Sequence, residues 1–367
     1  MIRRFFPSTL CRYLAWMYTK AFFQLLVILL GIVYLFDTVE LLRRAAKFDN
    51  VPLSLVLQMG LLKLPEIGQI ILPFAILFSA LYTFWFLARR HELVIVRAAG
   101  LSVWQFLGPI IGVAMLIGIV HMSVINPVGA AMMTRYHGLE AAYLKPNDNT
   151  VSIGDQGLWL RQKNGEDVVM LHADKIKMPE WKLNGVTVFY FTPSGDFRRR
   201  IDADNAGLKD GLWTFRNIVV NDPGQPPRRE TRETLPTKLT VSEIEESFST
   251  AEETPFWSLP SYIRTMEETG FDSRKLRIHF QTLLAQPLLF AAMVILAATV
   301  SLKVARAQQT VLMISAGVIM GFLMFFASSF LKALGASDQI PVFLAAWFPS
   351  FIALSLGISV ILTTEDG

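Results

Sequence analysis

The feature that most constrains this chain is where its charges are absent. Six stretches contain no Asp, Glu, Lys or Arg: Ala21–Phe36, Ile67–Ala88, Ala98–Thr134, Ile278–Leu302, Ala307–Leu331 and Gln339–Thr364. A hydrocarbon core of about 30 Å is crossed by about 20 helical residues. One charge at mid-depth costs about 2.5–3.5 kcal/mol on insertion scales. The uncharged runs therefore read as membrane spans. The first has only 16 residues and covers about 24 Å at the helical rise. It reaches full length if the helix starts near Tyr13 and Lys20 snorkels to the headgroups. The longest run, Ala98–Thr134, is expected to close near residue 125, where Asn126-Pro127 favours a turn.

The charges missing from these runs are gathered elsewhere. Between Glu140 and Arg277 lie 41 of the 64 Asp, Glu, Lys and Arg residues. One polar block stands between two charge-poor blocks, and 53% of all residues are hydrophobic. That pattern excludes a wholly soluble globular chain and a disordered one. The fold class is a polytopic α-helical membrane protein with six transmembrane helices, three on each side of an inserted all-β domain. The expected boundaries are 1–134 for the first three helices, 135–274 for the insert and 275–367 for the last three.

Orientation follows from the basic residues of the short loops. With the N-terminus inside, Arg3, Arg4, Arg12, Lys20, Arg89, Arg90, Arg97, Lys303 and Arg306 are cytoplasmic. Arg43, Arg44, Lys47, Lys63 and Lys332 lie on the opposite side. The balance places both termini inside and the insert outside. The N-terminal segment reads as a signal anchor, since no small-residue cleavage site follows its long apolar stretch. The single Cys11 falls outside the insert, which must fold without disulfides.

Within the insert the pattern changes to short alternating runs. Leu158-Trp159-Leu160, Asp167–His172, Val186–Phe191 and Leu212–Val220 are rich in strand-forming residues. Asn164-Gly165 and Asn184-Gly185 read as tight turns. Pro193-Ser194-Gly195, Asp210-Gly211 and Asp222-Pro223-Gly224 punctuate the rest. The expectation is a sandwich or jellyroll-like domain, followed by a helix over Ser258–Thr269.

Chemistry within the chain is sparse. No Gly is followed by Lys, so the phosphate-cradling G-x-x-x-x-G-K-[ST] loop is absent. His91-Glu92 begins like a zinc-binding H-E-x-x-H, but position 95 is Ile. The histidines at 91, 121, 137, 172 and 279 are scattered, and no G-x-S-x-G is present. Neither a catalytic residue nor a metal site is expected. Gly108/Gly112 and Gly317/Gly321 have G-x-x-x-G spacing, which serves either packing within a bundle or a subunit interface.

Two segments carry more information. Arg89–Gly100 is a short amphipathic stretch between spans on the cytoplasmic side. It reads either as a helix lying on the membrane surface or as a docking element. In the second reading Glu92 meets arginines of another protein. The other segment is Asp37–Lys47. Glu40 and Arg44 are spaced to pair on a helix surface, or Arg43, Arg44 and Lys47 form an anion site. Lys63 and Arg135 stand at comparable depth. Basic groups at an outer face oppose the usual bias, which suits an anionic headgroup.

These residues carry a family resemblance. Leu64-Pro65-Glu66, Leu72-Pro73-Phe74, Glu92-Leu93-Val94 and Arg97-Ala98-Ala99-Gly100, within a 3+3 layout around an insert, resemble the LptF/LptG family. Its members are permease subunits of the lipopolysaccharide-export ABC transporter of Gram-negative inner membranes. The likeness spans essentially the whole chain, and its details are closer to the LptG branch than to LptF.

The resemblance implies that Arg89, Arg90, Glu92, Leu93, Val94 and Arg97 form the coupling helix that docks on the ATPase LptB. It implies a heterodimer with LptF, two LptB copies, LptC beside the first helix, and a β-jellyroll passing lipopolysaccharide to the periplasmic bridge protein LptA. Arg43, Arg44 and Lys47 would contact substrate phosphates, joined by Lys63 and Arg135. ATP is used by the partner subunit, and this chain is expected to hold no cofactor and to bind no nucleic acid. Two departures bear on the phosphate contacts: Tyr34 stands where LptG chains often carry Lys, and Glu66 follows Lys63.

Exposing one acyl chain of about twelve carbons to water costs about 10 kcal/mol, so extraction needs an apolar path. Phe74, Phe78, Phe322, Met324 and Phe326 either line that path or pack and face lipid. An LptF-type subunit is an alternative, as is a mechanotransmission ABC permease that moves no lipid. The 3+3 layout disfavours the latter, whose members usually have four spans.

Overall fold

The structure, a computed structural model, describes residues 8–48, 51–98, 100–144, 150–154, 157–164, 167–177, 182–209, 211–237, 253–268, 272–305 and 310–365. Helix α1 is Ser8–Ala45, α2 Leu53–Arg89, α3 Glu92–Ala98 and α4 Val103–Val120. A π turn, His121–Ile125, leads into α5, Asn126–Tyr143. Strands follow at Thr150–Gly154 (β1), Gly157–Asn164 (β2), Asp167–Lys177 (β3), Lys182–Phe191 (β4), Phe197–Lys209 (β5), Leu212–Asn221 (β6) and Arg228–Pro236 (β7). Helices α6 (Leu259–Glu268), α7 (Arg274–Ala305), α8 (Thr310–Ala336) and α9 (Val342–Glu365) complete the order.

Six helices are long and apolar enough to cross a membrane: Thr9–Ala45, Leu53–Arg89, Val103–Tyr143, Arg274–Ser301, Ile314–Ala336 and Val342–Thr363. They belong to one compact unit, which also takes in Pro255–Leu259. At its centre α2 and α7 bury most of their apolar length, while α1 and α8 expose most of theirs. Tyr18, Phe22, Ile76, Phe84, Phe106 and Phe290 are fully buried in the shared core. Prolines inside spans face glycines. The Cβ of Pro65 would lie 2.9 Å from a Cβ built on Gly129, and the Pro287 backbone 2.7 Å from one on Gly118. A missing side chain on one helix thus makes room for the ridge on the next.

The third span differs from expectation. Asn126-Pro127 does not close the helix near residue 125; it continues to Tyr143 as one candidate span. The reason is local. Pro127 has no N–H to give Ser123, four residues earlier, and its ring would clash with that carbonyl. The π turn widens the helix there, with the Asn126 N–H reaching the His121 carbonyl. The Ser123 carbonyl then accepts from Trp257 Nε1 at 3.0 Å. The Asn126 side chain accepts from the Phe256 N–H at 2.9 Å. The break that a turn would have made is absorbed by outside partners.

Of the two glycine pairs, Gly317 and Gly321 abut α2, against Leu81 and against Phe74 and Leu77 respectively. These residues pack within the bundle. Gly112 has open space around it.

The second unit is the insert. Its seven strands form one antiparallel sheet in sequential order, β1 to β7. A flat sheet would place β2 and β7 about 24 Å apart at the usual strand spacing. Yet Gln162 on β2 donates to the Pro236 carbonyl on β7 at 3.1 Å. Arg199 on β5 likewise meets Glu233 on β7 at 2.6 Å. The sheet must therefore curl until its far strands meet. Its inner face is dry: Leu158, Leu171, Val188, Ile201, Trp213 and Phe215 are almost wholly buried. Burial pushes the Tyr190 hydroxyl up, with Glu233 adding to the effect.

Asn184-Gly185 is not a turn. It lies inside β4, where Gly185 takes φ 62° and a Cβ would collide with Asp174. The pairing skips this position: Asn184 faces Asn205 and Val186 faces Ala203. On the neighbouring pair Asn217 has φ 54° and donates to Asp204 at 3.2 Å. These unpaired positions lie in line across the strands with the register unchanged on either side, and the one register shift between β4 and β5 is at Tyr190/Phe191. The turns at Pro193–Gly195 and Asp222–Gly224 lie where expected, and Gly165 falls outside the described residues.

Gly118→Ala should lower stability by about 1–3 kcal/mol through overpacking, while Gly112→Ala should leave it unchanged. Thermal unfolding of the purified protein in detergent checks both.

Candidate functional site

Two groups of side chains stand at opposite ends of α1. Its C-terminal end presents Asp37, Glu40, Arg43 and Arg44, and Lys47 follows in the turn just after the helix. Glu40 accepts two hydrogen bonds from Arg43, both 2.8 Å, and one from Arg44 at 3.2 Å. Arg44 also reaches Glu140 of α5 at 3.5 Å. Glu140 is nearly buried, and His137 Nδ1 lies 3.4 Å from it. Lys63 of α2 donates to Asp37 at 2.7 Å and lies 6.0 Å from the ring centre of Tyr136. Alternating acids and bases thus tie α1, α2 and α5 together.

Of the five basic residues expected to meet phosphates, the structure brings Arg43, Arg44 and Lys63 into contact with carboxylates. Lys47 and Arg135 are exposed, and among the described residues neither makes an ion pair. Tyr34 turns to the Leu57 carbonyl at 3.3 Å and packs on Gly60. One carboxylate oxygen of Glu66 is buried. Lys47 and Arg135 are open to solvent, and the Arg43 and Arg44 guanidinium groups that hold Glu40 have the fork shape that also suits phosphate.

At the other end of α1 lies the turn between α2 and α4. Arg89 stacks over Trp85 at 5.1 Å and Arg90 over Phe86 at 4.3 Å. His91 takes φ 58°, which reverses the chain and starts α3. Leu93 is buried in the bundle core, whereas Val94 and Ile95 are 62% and 65% exposed. The chain turns again at Gly100, φ 77°. A capping box between Ser102 and Gln105 then opens α4. Tyr13 of α1 donates to Glu92 at 3.0 Å. Arg97 belongs to α3. The result is a short helix held by one buried leucine, offering a carboxylate and two bare aliphatic side chains.

The aromatic candidates divide. Phe74 meets Phe78, Phe322 and Phe325 with ring centres 6.4, 6.0 and 5.9 Å away. Phe326 adjoins Phe322 at 6.4 Å and is 64% exposed. Met324 packs both on the main core, as Phe78 does, and on the small cluster of Ala292, Leu296 and Ala353.

Sequence reasoning missed Tyr13, Tyr136 and Glu140. Nothing local marks Tyr13, since its partner is 79 residues away. Glu140 carried a signal that went unread: it continues a helix three residues beyond His137.

Comparison with known proteins adds the following. The family model described as Lipopolysaccharide export system permease LptF/LptG matches residues 12–363. Lipopolysaccharide export system permease protein LptG of Escherichia coli is 22% identical over 307 residues, covering 81% of this chain and 82% of that protein. The protein of the same name from Haemophilus influenzae is 23% identical over 350 residues, 94% of this chain and 96% of its own length.

Lys63→Ala should strip the partly buried Asp37 of its partner and cost about 2–3 kcal/mol. Arg43→Ala, on the exposed side of Glu40, should leave stability unchanged. Thermal unfolding of both variants in detergent separates the two outcomes.

Proposed function

Because the chain belongs to the LptF/LptG family of lipopolysaccharide export system permeases, we propose that it is the LptG-type permease subunit of that ABC transporter. It sits in the bacterial inner membrane with both termini cytoplasmic and the β domain periplasmic. It draws lipopolysaccharide from the membrane and passes it toward a periplasmic bridge. The observation that carries this reading is the family match from residue 12 to 363, spanning all six apolar helices and the insert. The relatives named LptG favour that branch over LptF.

The division of labour follows from the chemistry. The chain has no nucleotide-binding loop, so ATP is hydrolysed by a separate subunit, LptB in the family's naming, and this chain is not an enzyme and needs no cofactor. Helix α3 is the docking element. Glu92 offers a carboxylate to a guanidinium fork, Val94 and Ile95 offer apolar area, and Leu93 anchors the helix in the bundle. Arg89 and Arg90 stack on aromatics of α2 and set the angle of approach, with Arg97 further along the same helix. LptF supplies the second half of the membrane unit and LptC lies beside α1.

The charge cluster at the C-terminal end of α1 takes the substrate's phosphates. Lys47 and Arg135 give the first attraction; Arg43, Arg44 and Lys63 exchange carboxylates for phosphate. Phe74, Phe78, Phe322 and Phe326 form an apolar wall for acyl chains, with Met324 behind it. The curled sheet supplies a second apolar interior, outside the membrane. Moving several acyl chains at about 10 kcal/mol each through water is avoided only if the apolar surface is continuous.

Glu92→Ala should lose the ATPase subunit on co-purification; full retention of that subunit and of coupled ATP hydrolysis would sink the docking assignment. Photo-crosslinkers placed at positions 43, 44 and 135 should capture lipopolysaccharide in membranes. Labelling by ordinary phospholipid alone would count against the phosphate site.

A further inference from the structure

The two sites described above are linked by one element. Helix α1 runs unbroken by proline from Ser8 to Ala45, and the 31 residues from Tyr13 to Arg43 span roughly 45 Å at the helical rise. It lies against the bundle along one face, where Leu26 and Leu29 pack on the core and Tyr34 donates to the Leu57 carbonyl, and it is bare along the other. Near Tyr13, the side chains of Leu14, Tyr18 and Phe22 are buried in the bundle core. At the far end Leu41 and Ala45 are buried, and Asp37 and Arg44 pair with α2 and α5. Between them Phe23, Val27, Ile28, Ile32, Leu35 and Phe36 are exposed. A Cβ added at Gly31 would meet no other side chain or helix within 4 Å. A continuous helix packed along one face and bare along the other shifts as a unit, by sliding on its neighbour.

Tyr13 connects that unit to the short helix α3. Its hydroxyl donates to Glu92 Oε2 at 3.0 Å, which leaves Oε1 of the same carboxylate for another donor. Glu92 itself follows His91, whose left-handed φ of 58° makes the joint between α2 and α3. From this geometry we infer that Tyr13 is a positioning residue for transport. It ties Glu92 to α1, so that a displacement of α3 during the partner's nucleotide cycle reaches the Arg43–Lys47 cluster. The inference rests on the docking role given to α3 under the proposed function. It adds a route from that helix to the lipid-phosphate site.

The test uses the complete complex with its ATPase subunit, reconstituted in liposomes holding lipopolysaccharide. Tyr13→Phe removes only the hydroxyl. It should keep the ATPase subunit bound and the ATP hydrolysis rate within about twofold, yet lower lipid released per ATP by about fivefold. Tyr13→His, whose ring can still donate to the carboxylate, should recover part of that ratio. A spin label at Lys47 should shift on trapping with vanadate in the parent and stay still in Tyr13→Phe.

An unchanged lipid-to-ATP ratio in Tyr13→Phe would overturn the inference. So would loss of the ATPase subunit from that variant, which would place Tyr13 in docking rather than transmission. Glu92→Ala run alongside separates the two levels. If it keeps full docking and coupling, the docking role itself fails; if it loses the subunit while Tyr13→Phe remains fully coupled, only the Tyr13 route fails.

Discussion

The cost of placing a charge in hydrocarbon governs this molecule. It clears six runs of charged residues and sends the remainder to the ends of helices or into the insert. The two candidate sites exist because of that exclusion. Charges confined to narrow bands at span ends are forced close together, so Glu40, Arg43, Arg44 and Glu140 meet as one linked group and Lys63 pairs with Asp37 on the same helix end. At the opposite end the same pressure leaves Arg89, Arg90 and Glu92 crowded at one turn.

Within the bundle the same economy applies to backbone groups. Proline removes a donor from a helix that has no water to replace it, so each intramembrane proline needs a local solution. Pro65 and Pro287 sit where facing glycines leave them steric room, which eases packing and leaves the hydrogen-bond deficit as it was. Pro127 is handled by a π turn whose exposed carbonyl is taken by Trp257. The segment that leads from the insert back to the bundle therefore serves as a hydrogen-bonding cap on the third span.

Much of the fold could be read from the residues because its signals are periodic or compositional. The uncharged runs gave the spans, and alternating Val, Phe and Trp gave the strands. What escaped was set by distant partners. The third span reaches Tyr143 only because Trp257 and Phe256 compensate for Pro127, and no window around residue 127 contains that information. Gly185 looked like half of a turn because Asn-Gly favours positive φ. A left-handed kink within a strand needs the same φ, and only the facing strands distinguish the two. In the site, the Glu40 pairing with Arg44 was legible from helix spacing. Tyr13 with Glu92, and Lys63 with Asp37, were not, since each pair joins different helices.

Function comes down to one physical question: whether lipid leaves the membrane through this chain or the chain only transmits motion. The most direct measurement is release of lipopolysaccharide from proteoliposomes to a soluble periplasmic acceptor, with ATP hydrolysis followed in the same sample. The account predicts release that requires ATP, the ATPase subunit and this chain together. ATP turnover stimulated by this chain with no lipopolysaccharide reaching the acceptor would contradict it.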